Sequence, residues 1–232
     1  MTVRFVPLDA MGEFKPGRLD QIVGWLGEAA GEIVPKLGLD RIDIVVAPTP
    51  RRWVIPGWNL NAYAHGVARL TFGIDPECDG AEITPLSGQL KTTLAHELHH
   101  IKRFRGPGPH DTLGANLVAE GLAQCFQEEI GCPTPNYALA VRGERLGALA
   151  AWARTDWTTT DYDHGRWFYG DRSDPTWPWS GGYSLGYVLV RTLLDASERQ
   201  ASEAATIPAD VVWEQSESCL ASLIDAPPRE AP

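Results

Sequence analysis

The sequence predicts an α+β fold, and two observations carry that prediction. Short runs rich in β-branched and aromatic residues crowd the first third of the chain. Longer stretches with apolar residues at helical intervals fill most of the remainder. The 232 residues suit one domain better than two, with no linker long enough to divide them. The expectation is a single domain over 1–232.

Taken in order, "VRFVPL" near the N-terminus predicts a strand. The segment Leu19–Leu37 sets Ile22, Val23, Leu26, Ile33, Val34 and Leu37 on a helical period, and Gly38 can end it. "RIDIVVAP" from Arg41, "RWVIPG" from Arg52 and "VARLTFGID" from Val67 read as strands. In the last, Ala68, Leu70, Phe72 and Ile74 alternate with Val67, Arg69, Thr71 and Gly73, as in a strand covered on one side. A helix from about Leu90 to Arg105 stops at "GPGP", and a second runs from an N-cap at Asp111 through Gln127. A third covers Tyr137 to Trp152, and a last one, "YSLGYVLVRTLLDAS", begins at Tyr183. Before it lies a long structured loop rich in Trp, Asp, Gly and Pro; its Trp157–Trp179 part suits either the wall of a cleft or a cover over a core. The tail "APPREAP" reads as frayed.

Composition excludes several roles. A net charge of −10 without a basic run argues against nucleic acid, whose phosphates need clustered Lys and Arg, and against an anionic membrane surface. No signal-like N-terminus and no apolar run of about 18 residues occurs. The expected compartment is the cytoplasm, where Cys78, Cys125, Cys132 and Cys219 stay reduced.

The chemistry concentrates in "TTLAHELHHIKRFRG", which fits H-E-x-x-H in one register: His96, Glu97, His100. Residues four apart on a helix lie about 40° apart around its axis, so His96 and His100 can clamp one ion. Glu97 can reach water there without being a ligand, and His99 points away as the spare histidine. Leu90, Leu94, Leu98 and Ile101 form an apolar stripe roughly opposite the pair. The longer H-E-x-x-H-x-x-G-x-x-H pattern fails, because Arg103 and Gly106 stand where Gly and His are needed. A third ligand must come from elsewhere, either His110 in "GPGPHD" or, better placed, Glu120 in "NLVAEGLAQCF", with Asn116 or Gln124 beside it as support. Gly121 removes a side chain where helices approach closely. Tyr183, Tyr187 and His164 are candidate donors to a developing oxyanion, whereas His65 reads as structural or surface.

"LAHELHHIKRF", "LVAEGLAQCF" and "SGGYSLGYVLVRTLL", with "RWFYGD" before the last, resemble in that order the bacterial predicted zinc-dependent proteases of domain-of-unknown-function family 2268. The resemblance covers about 60–200. It implies a zincin-like fold with a gluzincin-type third ligand: His96, His100 and Glu120 on Zn2+, and Glu97 as general base. The expected function is a zinc metallopeptidase acting on peptides; the alternatives are a small amide substrate or another metal such as iron on the same ligands, and a non-catalytic relative that keeps the fold. The strand around Val67–Ile74 is expected to offer its edge to an extended peptide.

Overall fold

The N-terminal sheet holds four strands: β1 (Val3–Pro7), β2 (Ile42–Pro48), β3 (Leu60–Ala64) and β4 (Arg69–Ile74), in the order β1-β2-β4-β3. β1–β2 and β2–β4 are parallel, and β3 is antiparallel to β4. The sheet is therefore mixed, and the fold is α+β as the sequence predicts. The computed structural model describes residues 2–78, 85–171, 173 and 176–225. The chain divides into two compact units, one ending at Arg105 and the other beginning at Gly106.

In the first unit the alternation of β2 and β4 does its expected work. Ile42, Ile44, Val46, Leu70, Phe72 and Ile74 are buried on one face of the sheet. Helix α1 (Arg18–Lys36) buries Ile22, Leu26, Ile33 and Val34, and α2 (Leu86–Arg105) buries Leu90, Leu94, Leu98 and Ile101. Each such side chain contributes roughly 1.5–3 kcal/mol on leaving water. The opposite face is wetter, and there Arg4 pairs with Asp43 at 2.7 Å on the surface. The buried stripe of α2 is what turns the opposite side of that helix toward chemistry.

The second unit is helical: α3 (Leu113–Glu129), α4 (Glu144–Asp156), α5 (Gly181–Ser197), α6 (Ala201–Ala204) and α7 (Ala209–Asp225). A single 3-10 turn spans Asn136–Leu139, and a π-helical turn spans Gly165–Tyr169. The close approach that Gly121 signals is between α3 and α5. A Cβ on Gly121 would fall on the Gly186 carbonyl, and one on Gly186 would fall on the Leu117 carbonyl. Two glycines facing each other thus bring the two backbones together.

Several expectations need correction. "RWVIPG" is not a strand: Arg51–Trp53 forms a 3-10 turn, because Pro50 precedes it and Pro56 interrupts the run. The missing strand is β3, where the small, partly polar "LNAYA" gives little hydrophobic signal. β4 is no edge, since β2 and β3 flank it; among the described strands the outer ones are β1 and β3. The second helix is capped by Thr112 rather than Asp111, its hydroxyl accepting from the Ala115 amide at 3.2 Å. The helix expected over Tyr137–Trp152 is split, the break falling at Gly143, whose φ is 60°. Helices α6 and α7 follow where none was expected. His99, the spare histidine of the motif, is fully buried. Residues 172, 174 and 175 of the Trp/Pro loop and the "APPREAP" tail lie outside the described residues.

Candidate metal centre and active site

On α2 the register places the His96 and His100 rings edge to face, with centroids 4.7 Å apart. Glu97, one step along, is buried and accepts a 2.7 Å hydrogen bond at Oε2 from the Ala64 amide. That bond ties the carboxylate to the end of β3. His65, the next residue, hydrogen-bonds Thr71 Oγ1 at 3.1 Å and packs edge-on against Tyr63. Desolvation and Arg69 lower its pKa, while the Glu97 charge works the other way. His65 therefore stands in the electrostatic reach of Glu97, a placement its sequence context did not signal. Arg103 is almost fully buried in the same helix, and desolvation brings its pKa down to about 10.

Glu120 lies on α3 between two amide side chains that shape its surroundings. Asn116 Nδ2 donates to the His110 and Thr112 carbonyls and pins the entry of α3. Gln124 Nε2 donates to the Tyr183 carbonyl at 3.3 Å and fixes the start of α5. Three groups share the field of Glu120. Tyr162 is pushed up to about 12 by burial and the Glu120 charge, against its hydrogen bond to Asn116. Tyr183 is raised well above an ordinary phenol by burial first, then by Glu120, and it hydrogen-bonds Tyr169. Burial lowers His164, with Glu120 and Asp163 opposing; its ring stacks on Phe168 at 4.6 Å. All three are thus neutral near pH 7, and both phenols carry their protons.

The ligand atoms of His96, His100 and Glu120 lie within 4.8 Å of one another. A tetrahedral zinc with bonds of about 2.0–2.2 Å spaces its donors by about 3.3 Å, inside that limit. Two imidazoles and one carboxylate are also the donor chemistry of a catalytic zinc site with an open position. The residues fit the ion. His110, the other candidate for third ligand, is outside this cluster, and its carbonyl is taken by Asn116.

Residues 82–214 match a family described as predicted Zn-dependent protease, domain-of-unknown-function family 2268. The chain belongs to that family. No curated protein matches the chain. The matched region of this predicted Zn-dependent protease takes in His96, Glu97, His100 and Glu120 and runs on through the G-Y-x-x-G-Y stretch.

Each residue of that stretch has a distinct task. Gly182 leaves room for the Phe168 ring, and Tyr183 joins the surroundings of Glu120. Ser184 Oγ donates to the Tyr137 carbonyl at 2.9 Å and accepts from the Val141 amide at 3.1 Å. Gly186 meets the α3 backbone. Tyr187 is directed elsewhere: its hydroxyl donates to Glu128 Oε1 at 2.8 Å, two turns along α3 from Glu120. The Trp/Pro loop, within its described residues, packs as a cover: Trp157, Trp167 and Phe168 are buried. Trp157 also donates from Nε1 to Asp210 at 2.8 Å.

Tyr162 and the Ala64 amide were missed by sequence reasoning. Tyr162 stands two residues before His164 in "DYDHG", so the segment was in view while its phenol was not. The Ala64 amide is a backbone group that no residue type announces. Among the described residues no helix is long and apolar enough to cross a membrane.

Proposed function

We propose that the chain is a zinc metallopeptidase. The observation that carries this reading is the clustering of His96, His100 and Glu120 donor atoms next to a buried Glu97 that is not one of them. His96, His100 and Glu120 would hold the ion. When bound, zinc supplies a Lewis acid that brings the acidity of water near neutrality and polarises a carbonyl.

The chain's own residues do the rest. Glu97, with Oε2 held by Ala64, keeps its other oxygen for the proton of the attacking water. It then returns that proton to the departing amine. Tyr183, protonated and close to Glu120, donates to the developing oxyanion, with Tyr162 and His164 as the other neutral donors there.

Peptide rather than a small amide is favoured by the outer edge of β3, which pairs with no further strand among the described residues. The bonds Asp75 N–H to Asn59 O and His65 N–H to Arg69 O set the hydrogen-bonding register with β4. Leu60, Ala62 and Ala64 accordingly turn their backbone groups outward. The Leu60 carbonyl accepts from Ile55, and the Ala64 amide serves Glu97. The amide and carbonyl of Ala62 stand between them, placed to pair with an extended chain.

The test is a peptide-library digest with the zinc-loaded protein, run beside metal analysis. Wild type should cleave and stop on chelation. Glu97→Gln should keep its zinc yet lose about two to four orders of magnitude in kcat/KM. A Glu97→Gln variant that cleaves like wild type would remove this mechanism.

A further inference from the structure

The turn at Arg51–Trp53 is exposed and firmly anchored, and the Arg52 guanidinium lies over the Trp53 ring, 5.8 Å from its centroid. Trp53 is 64% exposed and Ile55 43%, yet the turn lies against the outer end of β3. Asn61 Nδ2 donates to the Trp53 carbonyl at 2.7 Å, and the Ile55 amide donates to the Leu60 carbonyl at 3.0 Å. A single exposed tryptophan is ordinary on a protein surface. One whose backbone is tied to the outer strand of a sheet is not, because its ordering cost is met before any ligand arrives.

A buried polar chain stands behind the turn. Arg51 Nη1 donates to Asn59 Oδ1 at 2.6 Å and to Asp75 Oδ2 at 3.1 Å. The Asn59 backbone N–H donates to Gln89 Oε1 at 2.9 Å. Asn59, Asp75 and Gln89 are each no more than 4% exposed. Gln89 belongs to α2, two turns before His96, so the chain couples the turn and the head of β3 to the helix that carries the histidine pair. Burying this many polar groups is costly unless they are paired, and a core of the same size made from apolar residues would hold the strand as well. What the polar chain adds is a defined position.

We propose that Trp53 and Ile55 form a peptide subsite remote from the bond being cut, and that Arg51, Asp75, Asn59 and Gln89 are the positioning clamp that holds it in register. This rests on the peptidase reading. From Ala64, beside Glu97, to Leu60, beside the turn, four steps of about 3.3 Å cover about 13 Å. A peptide extended along β3 therefore reaches the subsite with a side chain about four residues from the scissile bond. The subsite accepts an apolar side chain there, packed on the isoleucine and on the indole face opposite the Arg52 guanidinium.

The test measures binding apart from cleavage. Fluorescent decapeptides from a positional-scanning library are titrated into zinc-loaded, full-length Glu97→Gln protein and followed by anisotropy. One outer position should prefer Leu or Phe over Gly by about tenfold, as burial of one apolar side chain predicts. Adding Trp53→Ala should erase the preference at that position and spare the preferences at others. Gln89→Leu and Arg51→Met, each checked for an unchanged circular dichroism spectrum, should blur the same position. Decapeptides that fail to bind, or a pattern of preferences untouched by Trp53→Ala, would overturn the subsite. Loss with Trp53→Ala but none with either clamp variant would overturn the clamp. Peptides that bind in this pattern and are never cut by wild type would sink the peptidase reading and leave the subsite standing.

Discussion

Single residues in this site are assigned by their neighbours rather than by their type. Tyr162 and Tyr183 share the field of Glu120, while the hydroxyl of Tyr187 donates to Glu128. Tyr183→Phe should therefore lower kcat/KM on a cleaved peptide by about a hundredfold, the usual loss of one oxyanion donor, with most of the effect in kcat. If Tyr162→Phe shows that loss and Tyr183→Phe does not, the donor is Tyr162. Tyr187→Phe should act chiefly on stability, costing about 1 kcal/mol in a denaturant melt. His65 makes a pH prediction. Its folded pKa lies below its ordinary value of 6.5, chiefly through desolvation, so folding favours the neutral ring. Its contribution is fully present above about pH 6.5 and declines as pH falls through the folded value. Thermal melts of wild type and His65→Gln should differ in their fall between pH 8 and pH 5, with wild type losing more.

At the scale of elements, the tight crossing of α3 and α5 sets where Glu120 and Tyr183 stand. Gly121 and Gly186 each face a carbonyl of the other helix, so neither helix can yield without moving its backbone. Gly121→Ala should destabilise the protein by about 1–3 kcal/mol or more, despite the gain in helix propensity, and weaken metal binding with it. An unchanged melting curve and unchanged zinc affinity would show that the helices can separate at no cost. Elements with a strong period were legible beforehand. The stripe of α2 and the alternation of β4 both appear where the spacing puts them. β3 was not legible, because "LNAYA" owes its place to pairing with β4, to Gln89 and to Glu97 rather than to its own hydrophobicity.

For the molecule as a whole, zinc should act as a stabilising ligand, since an ion that binds only the folded chain raises its stability in proportion to the logarithm of its concentration over Kd. At zinc about a hundredfold above Kd the gain is roughly 2.7 kcal/mol. Differential scanning calorimetry should show a melting temperature that rises with zinc and returns after chelation, while Glu120→Ala abolishes the shift. A zinc-dependent shift that survives Glu120→Ala would exclude it from the ligand set. The sequence by itself determined the α+β class, the H-E-x-x-H register that sets His96 and His100 one turn apart, and the candidacy of Glu97 and Glu120, because helical periodicity and ligand spacing are local properties of a chain. Only the tertiary structure decided that β3 is an outer strand, that the Ala64 amide holds Glu97, that Tyr162 joins Tyr183 in the field of Glu120, and that Tyr187 bonds Glu128. Those are contacts between residues dozens of positions apart, and their energies come from packing and pairing that no local pattern encodes.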